Sequence, residues 1–303
     1  MIKKEKVPLV TTKMDIAVAF KEIPVNELTA GWFLKNYYNL FFDENKLTLN
    51  IFSDFSITTR ECLFSCPFVI CKRISSKDIT TDMIDKFLDN SNLLISINTE
   101  KMGLTNGVSY IHDVYLTASY NDCYDVIDFW SPNFQWGHRY IKKELLCYAI
   151  ARGSINYDAF VIKEKSAFIT KDKAPLTIVL KECIKEYLIS LNTSDYIGIN
   201  SIEGLKKYVI KIDSVDTLDD KIFSALCDHY KIWKLAIERL NNKERYMILI
   251  DAVLRSAYCL RNYVLKIWRM KTIHLDWRNE ILGALTKIKE QELSFLSELI
   301  NII

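Results

Sequence analysis

The hydrophobic period changes once along this 303-residue chain, near residues 164–174, and that change limits the possible fold more than any other feature. Beyond it, residues 175–191, 202–209, 219–240, 244–270 and 276–302 repeat apolar side chains at helical spacing, separated by breaks bearing Asn, Asp or Gly. Before it, short β-rich runs alternate with a few helical stretches. The change itself falls in a charged segment, from Lys163-Glu164-Lys165 to Lys171-Asp172-Lys173. The pattern predicts an α+β domain over residues 1–165 followed by an all-helical domain over 166–303.

Within the first part, residues 14–20 read as a strand or an extended lead-in, and Pro24 ends it. Asn26 is a suitable N-cap for a helix over 27–42, in which Leu28, Trp32, Phe33, Tyr37, Leu40 and Phe41 share one broad face. Residues 47–52 and 67–72 read as strands and 78–88 as a short helix. Three further strands follow over 93–98, 110–118 and 124–130, the first pair separated by Thr105-Asn106-Gly107 and the second by Ser119-Tyr120-Asn121-Asp122. The second turn folds its two strands together antiparallel, which brings His112, near the start of one, abreast of Asp128, near the end of the other. An imidazole held by a carboxylate is half of a nucleophilic triad. A Trp130-Ser131-Pro132-Asn133 loop, a helix over 142–152 stopped by Gly153 and a last strand over 157–163 complete this part.

Composition removes several function classes. The apolar runs are strand-sized, and the first fourteen residues interleave Lys3, Lys4, Glu5, Lys6 and Lys13 with only a short apolar run, so neither a membrane span nor a signal-peptide core is expected and a cytosolic protein is. Of eight cysteines, Cys123, Cys147, Cys183, Cys227 and Cys259 lie in apolar periodic segments, the pattern of reduced, buried thiols rather than of a disulfide framework. Cys62, Cys66 and Cys71 are the densest group, but they lack Cys-x-x-Cys pairing and a His-containing half, so structural thiols are favoured over a metal site. The eight glycines form no phosphate-cradling motif, and no cofactor is expected.

The formal charge is +2, yet residues 231–278 hold eleven Lys/Arg against four Asp/Glu. Trp233, Leu235, Ile250, Leu254, Leu260, Val264 and Trp268 recur there at core spacing, so the cations read as the outer faces of packed helices; no nucleic-acid motif accompanies them. His138 reads as a solvated loop residue, His229 and His274 as surface or interface residues, and Asp113 as a structural carboxylate on the strand face opposite His112.

The run from 93 to 150, with its strand, His112-bearing strand, turn, Asp128-bearing strand, Trp-Ser-Pro loop and helix, resembles the bacteriocin-processing papain-like peptidases. More closely it resembles the butirosin-type acyltransferases and the autonomous amide synthases of thiotemplated natural-product pathways. The likeness extends into Tyr196-Ile197-Gly198-Ile199-Asn200-Ser201-Ile202 and the helical tail. It implies a papain-like fold and transfer of acyl groups from carrier-protein thioesters in peptide or polyketide biosynthesis. It also implies a small amine or acyl substrate and an acidic carrier protein that would meet the basic helices of 231–278, with no role for nucleic acid or membrane.

In such proteins the nucleophile is a cysteine at the start of the first long helix. This chain has no cysteine before Cys62; by register Glu27 stands at that place, with Thr29 two residues on. Three readings stay open. Glu27, with His112 and Asp128, acts as general base for an amine that attacks the thioester directly. Alternatively Thr29 forms an ester intermediate. In the third, catalysis is absent, Glu27 stabilises the helix N-terminus, and the protein is a binding or scaffold module.

Overall fold

The computed structural model describes residues 3–4, 8–52, 61–75, 79–102, 111–130, 135–152, 158–164, 175–189, 196–270 and 276–301. The chain is α+β and divides into two units that interleave in sequence. The first comprises Met1–Pro8, Lys13–Ile23 and Arg60–Thr170; the second comprises Leu9–Thr12, Pro24–Thr59 and Lys171–Ile303. The chain passes from one to the other within the charged segment, between Thr170 and Lys171, but no single cut separates them, because 9–12 and 24–59 group with the C-terminal helices.

The first unit is built on an antiparallel sheet of β1 (Lys3–Lys4), β4 (Val69–Ser75), β5 (Asn92–Asn98), β6 (Ile111–Ser119), β7 (Cys123–Trp130), β8 (Gln135–Lys142) and β9 (Asp158–Glu164), in the order β1-β8-β7-β6-β5-β9-β4. Strand alternation sends Leu93, Ile95, Ile97, Val114, Leu116, Tyr124, Val126 and Ile141 to one face. There they pack on Ile84 of α3 (Thr81–Leu88) and on Leu146, Ala149 and Ile150 of α4 (Lys143–Arg152). Thr80 caps α3 by accepting from the Met83 N–H, and Asp85 accepts from Ser119 Oγ at 2.7 Å and Lys143 Nζ at 2.8 Å, tying α3 to the end of β6 and the start of α4. Residues 14–20, predicted as extended, form α1 (Met14–Glu22) instead. Met14 through Ala19 are all buried, so no polar stripe marks the helical period in the sequence.

In the second unit, α2 (Glu27–Tyr37) is shorter than the predicted 27–42. Asn39 turns its side chain back to accept from the Leu40 N–H at 2.9 Å, and β2 (Asn39–Asp43) then pairs antiparallel with β3 (Thr48–Phe52). The remaining helices are α5 (Leu176–Ile189), α6 (Ser201–Lys211), α7 (Asp220–Ile237), α8 (Glu244–Met270) and α9 (Trp277–Ile300). Gly204 lets α6 approach β2: a Cβ there would sit 2.7 Å from Phe42 Cδ1 and 2.9 Å from Tyr196 Cγ. The α8 seam is Tyr246, Ile250, Val253, Leu254, Ala257, Leu260, Val264 and Ile267. Ile267 takes the last core position, so Trp268, predicted as core, is 45% exposed. Asp228 of α7 is buried and accepts from Thr11 N at 2.7 Å and Thr12 N at 3.0 Å, anchoring the segment Leu9–Thr12.

Candidate catalytic site

The β6–β7 hairpin carries the polar pair anticipated from the sequence. Its register runs Tyr115↔Ile127 and Leu116↔Val126, and continuing it sets Val114 opposite Asp128, with His112 one diagonal step away on the same face. His112 Nε2 lies 2.8 Å from both Asp128 Oδ1 and Oδ2. Asp128 Oδ1 also accepts from the Phe129 N–H at 2.7 Å, so the carboxylate is fixed by its own backbone as well as by the ring. The Asp128 side chain is 4% exposed and that of His112 31%. A carboxylate only accepts, so it holds a proton on Nε2 and leaves the lone pair of the neutral ring on Nδ1. The buried acid thus sets the orientation and the tautomer of the neutral ring.

The neighbouring β7–β8 pair of strands carries a second imidazole–carboxylate pair, which the sequence did not announce. His138 is not a solvated loop residue: it lies on β8, with Nδ1 2.9 and 2.8 Å from the two oxygens of Asp125. Between Leu116 and Ala118 the β6 register slips by one residue, and Thr117 donates to Asp125 Oδ2 at 3.1 Å. Asp125 and Asp128 are three apart on one strand and so point to opposite faces of the sheet. Asp113 likewise faces away from His112 and accepts from Ser96 Oγ, its cross-strand neighbour. The signal for β8 was its alternation Trp136, His138, Tyr140, which the turn-like composition Ser131-Pro132-Asn133 before it disguised.

Of the remaining candidates, Thr29 and Glu27 belong to the helical unit and Cys62, Cys66 and Cys71 to the sheet unit. Thr29 is 1% exposed; its hydroxyl donates to Pro24 O at 2.7 Å and accepts from Asn26 N at 2.8 Å, while Asn26 Oδ1 accepts from Thr29 N. Thr29 and Asn26 thus form a capping box, which spends the hydroxyl on the helix start. Glu27 opens α2; its side chain lies outside the described residues, as do His274 and residues 131–133 of the predicted loop, while Trp130 ends β7. Cys62 and Cys66 are buried and Cys71 is half-buried; Cys259, predicted to be buried, is exposed on the outer face of α8.

His229, predicted on the surface, is fully buried on α7. It stacks on Tyr187 of α5, with ring centroids 5.4 Å apart, and its Nε2 is 3.5 Å from Oε1 of the equally buried Glu292 of α9. Glu292 accepts from Tyr187 at 2.8 Å and Tyr230 at 2.9 Å, whereas neither His229 nitrogen has a hydrogen-bond partner among the described residues. Burial depresses the His229 pKa below 6.5, and the long contact to Glu292 does not offset it. Burial, reinforced by Glu292, raises the pKa of both tyrosines well above 10.

No family model matches this chain, and no curated protein matches it. Among the described residues, no three His, Cys, Asp or Glu side chains are grouped to hold a metal ion, and no helix is long and apolar enough to cross a membrane.

Proposed function

We propose that this protein transfers an acyl group from a carrier-protein thioester to an amine, with His112 as general base and Asp128 as the residue that orients it. The observation that carries the proposal is the His112–Asp128 pair itself: two 2.8 Å contacts to a buried carboxylate, on a ring that keeps a third of its surface open. In the reaction the amine nitrogen attacks the thioester carbonyl, the C–N bond forms, and the amine proton passes to His112 Nδ1. The C–S bond then breaks and His112 returns the proton to the departing sulfur. No enzyme-bound acyl intermediate is needed, which suits a chain with no cysteine before Cys62 and with the Thr29 hydroxyl engaged in a cap. The proposal includes a papain-like fold for the sheet unit and a cytosolic setting. It does not require Glu27.

A second reading, a non-catalytic binding module, is favoured by that same absence of a thiol at the start of α2. Intact-mass and product analysis separates the two, using a carrier protein loaded with a simple acyl thioester and a panel of primary amines. Amide from wild type without an acyl adduct is expected, and His112→Ala should lower the rate about 10²–10⁴-fold. Carrier binding without amide from any amine in the panel would replace the enzyme with the binding module.

A further inference from the structure

We infer that the outer face of α8, from Arg255 to Met270, is a docking surface for an acidic protein helix bearing a protruding apolar side chain. The inference deepens the proposed function and rests on it only for the identity of that partner, the carrier protein.

Residues 252–275 contain five Lys/Arg and no Asp or Glu. One of the five, Arg261, is committed inward, its Nε donating to Ser224 Oγ at 2.7 Å. Arg255, Lys266 and Arg269 are exposed and make no ion pair among the described residues, whereas at the other end of α8 Arg245 pairs with Glu298 at 2.8 Å and Asp251 with Lys234 at 2.7 Å. Spacings of four, three, four and three along 255, 259, 262, 266 and 269 keep these residues on one stripe, roughly 21 Å long at 1.5 Å per residue. The helix dipole favours a cation only in the last turn, which accounts for Arg269 and not for Arg255 or Lys266.

At the C-terminal end the stripe borders a concavity of about 310 Å³ lined by Asn262, Leu265, Lys266, Arg269 and Met270. Its lining sets the cations Lys266 and Arg269 beside the apolar Leu265 and Met270, a combination that matches a carboxylate-flanked apolar side chain. A bilayer surface has no protrusion to fill such a notch, and a phosphate backbone has no apolar group to place there.

The test uses the full chain and an apo acyl carrier protein, a small acidic helical domain, as the probe. Anisotropy of the labelled carrier should report binding that weakens as salt rises, and the Arg255→Glu/Lys266→Glu/Arg269→Glu variant should lose at least tenfold in affinity. Leu265→Ala, which leaves the charges alone, should also weaken it. Bound carrier should slow alkylation of Cys259, the exposed thiol within the stripe. Equal affinity in the charge-reversed variant, or binding of anionic vesicles or duplex DNA but not carrier, overturns the docking surface. Turnover of a free acyl-pantetheine thioester is measured alongside, since it needs no docking. Turnover without carrier binding removes the surface alone; carrier binding without turnover removes the catalytic reading alone; loss of both removes both.

Discussion

His112 in the sheet unit and His229 in the helical unit each lie beside a buried carboxylate, Asp128 and Glu292, yet the two surroundings are opposite in kind. His112 is 31% exposed and bonds both oxygens of its partner at 2.8 Å, while His229 is 0% exposed and stands 3.5 Å from its own. Where the ring reaches solvent and the acid is buried, a proton can arrive and leave while the geometry holds. Where the ring is sealed and the acid is occupied by two tyrosines, protonation has to displace packing. The same two residue types therefore make a partly open pair in one unit and a sealed one in the other.

The largest effect that distinguishes them is expected for Glu292→Ala. It strips the acceptor from the buried hydroxyls of Tyr187 and Tyr230, each costing about 1–3 kcal/mol when unsatisfied. Denaturant unfolding should show a loss of roughly 2–6 kcal/mol, and a loss below about 1 would mean the cluster is not the sealed structure described. Gly204→Ala comes next: its Cβ would meet Phe42 and Tyr196 at under 3.0 Å, and such overpacking costs about 1–3 kcal/mol. Gly283→Ala, also in a helix but with nothing within 4 Å of its Cβ, should instead stabilise by about 0.5–1 kcal/mol. Equal shifts in the two would show that the helical unit is less tightly packed than its distances imply.

Acid separates the units by pH. The folded-state pKa of His229 is held below 6.5, so below that pH the unfolded chain binds the extra proton and stability falls, by up to about 1.4 kcal/mol per pH unit. In the sheet unit, burial opposes ionisation of Asp85, but Lys143 and Ser119 outweigh it and hold its pKa below 3.8. The stability it contributes is present above that pH and lost only as pH falls through it, and its partial exposure keeps the contribution small. A titration followed by circular dichroism should therefore disturb helical signal as pH falls below 6.5, before Asp85 is protonated, and His229→Phe should flatten that arm. At the alkaline end the raised Tyr187 and Tyr230 act with the opposite sign, stability being complete below pH 10 and lost above it. The smallest effect belongs to Asp128→Asn, about 1 kcal/mol or less in unfolding, because its partner is partly solvated; its consequence should appear in turnover instead.

How much of this the sequence revealed depended on whether a residue's surroundings are local. Helix α8 was predicted over 244–270 and found at Glu244–Met270, because its seam repeats at an unbroken period. The proximity of His112 to Asp128 was legible because a short turn sets the register of the strands that carry them. Helix α1 was not legible, because burial on every side leaves no contrast to read. His229 and Glu292 are 63 residues apart, and no period announces that α7 and α9 turn these side chains toward each other. His138 was missed with its strand, and the membership of residues 24–59 in the helical unit rests on contacts with helices far along the chain.

The interleaving of the two units also sets a timetable for synthesis. Thr11 and Thr12 bind Asp228, which follows them by more than 210 residues. At translation rates of about 5–20 residues per second, the N-terminal threonines emerge roughly ten to forty seconds before their acceptor exists. The strands of the first unit are all complete before Asp228 is made, so on the ribosome the sheet can close while residues 9–12 and 24–59 stay unsatisfied. A nascent chain stalled after Thr170 would then expose apolar residues such as Phe33, Leu40 and Phe42, which the finished chain buries.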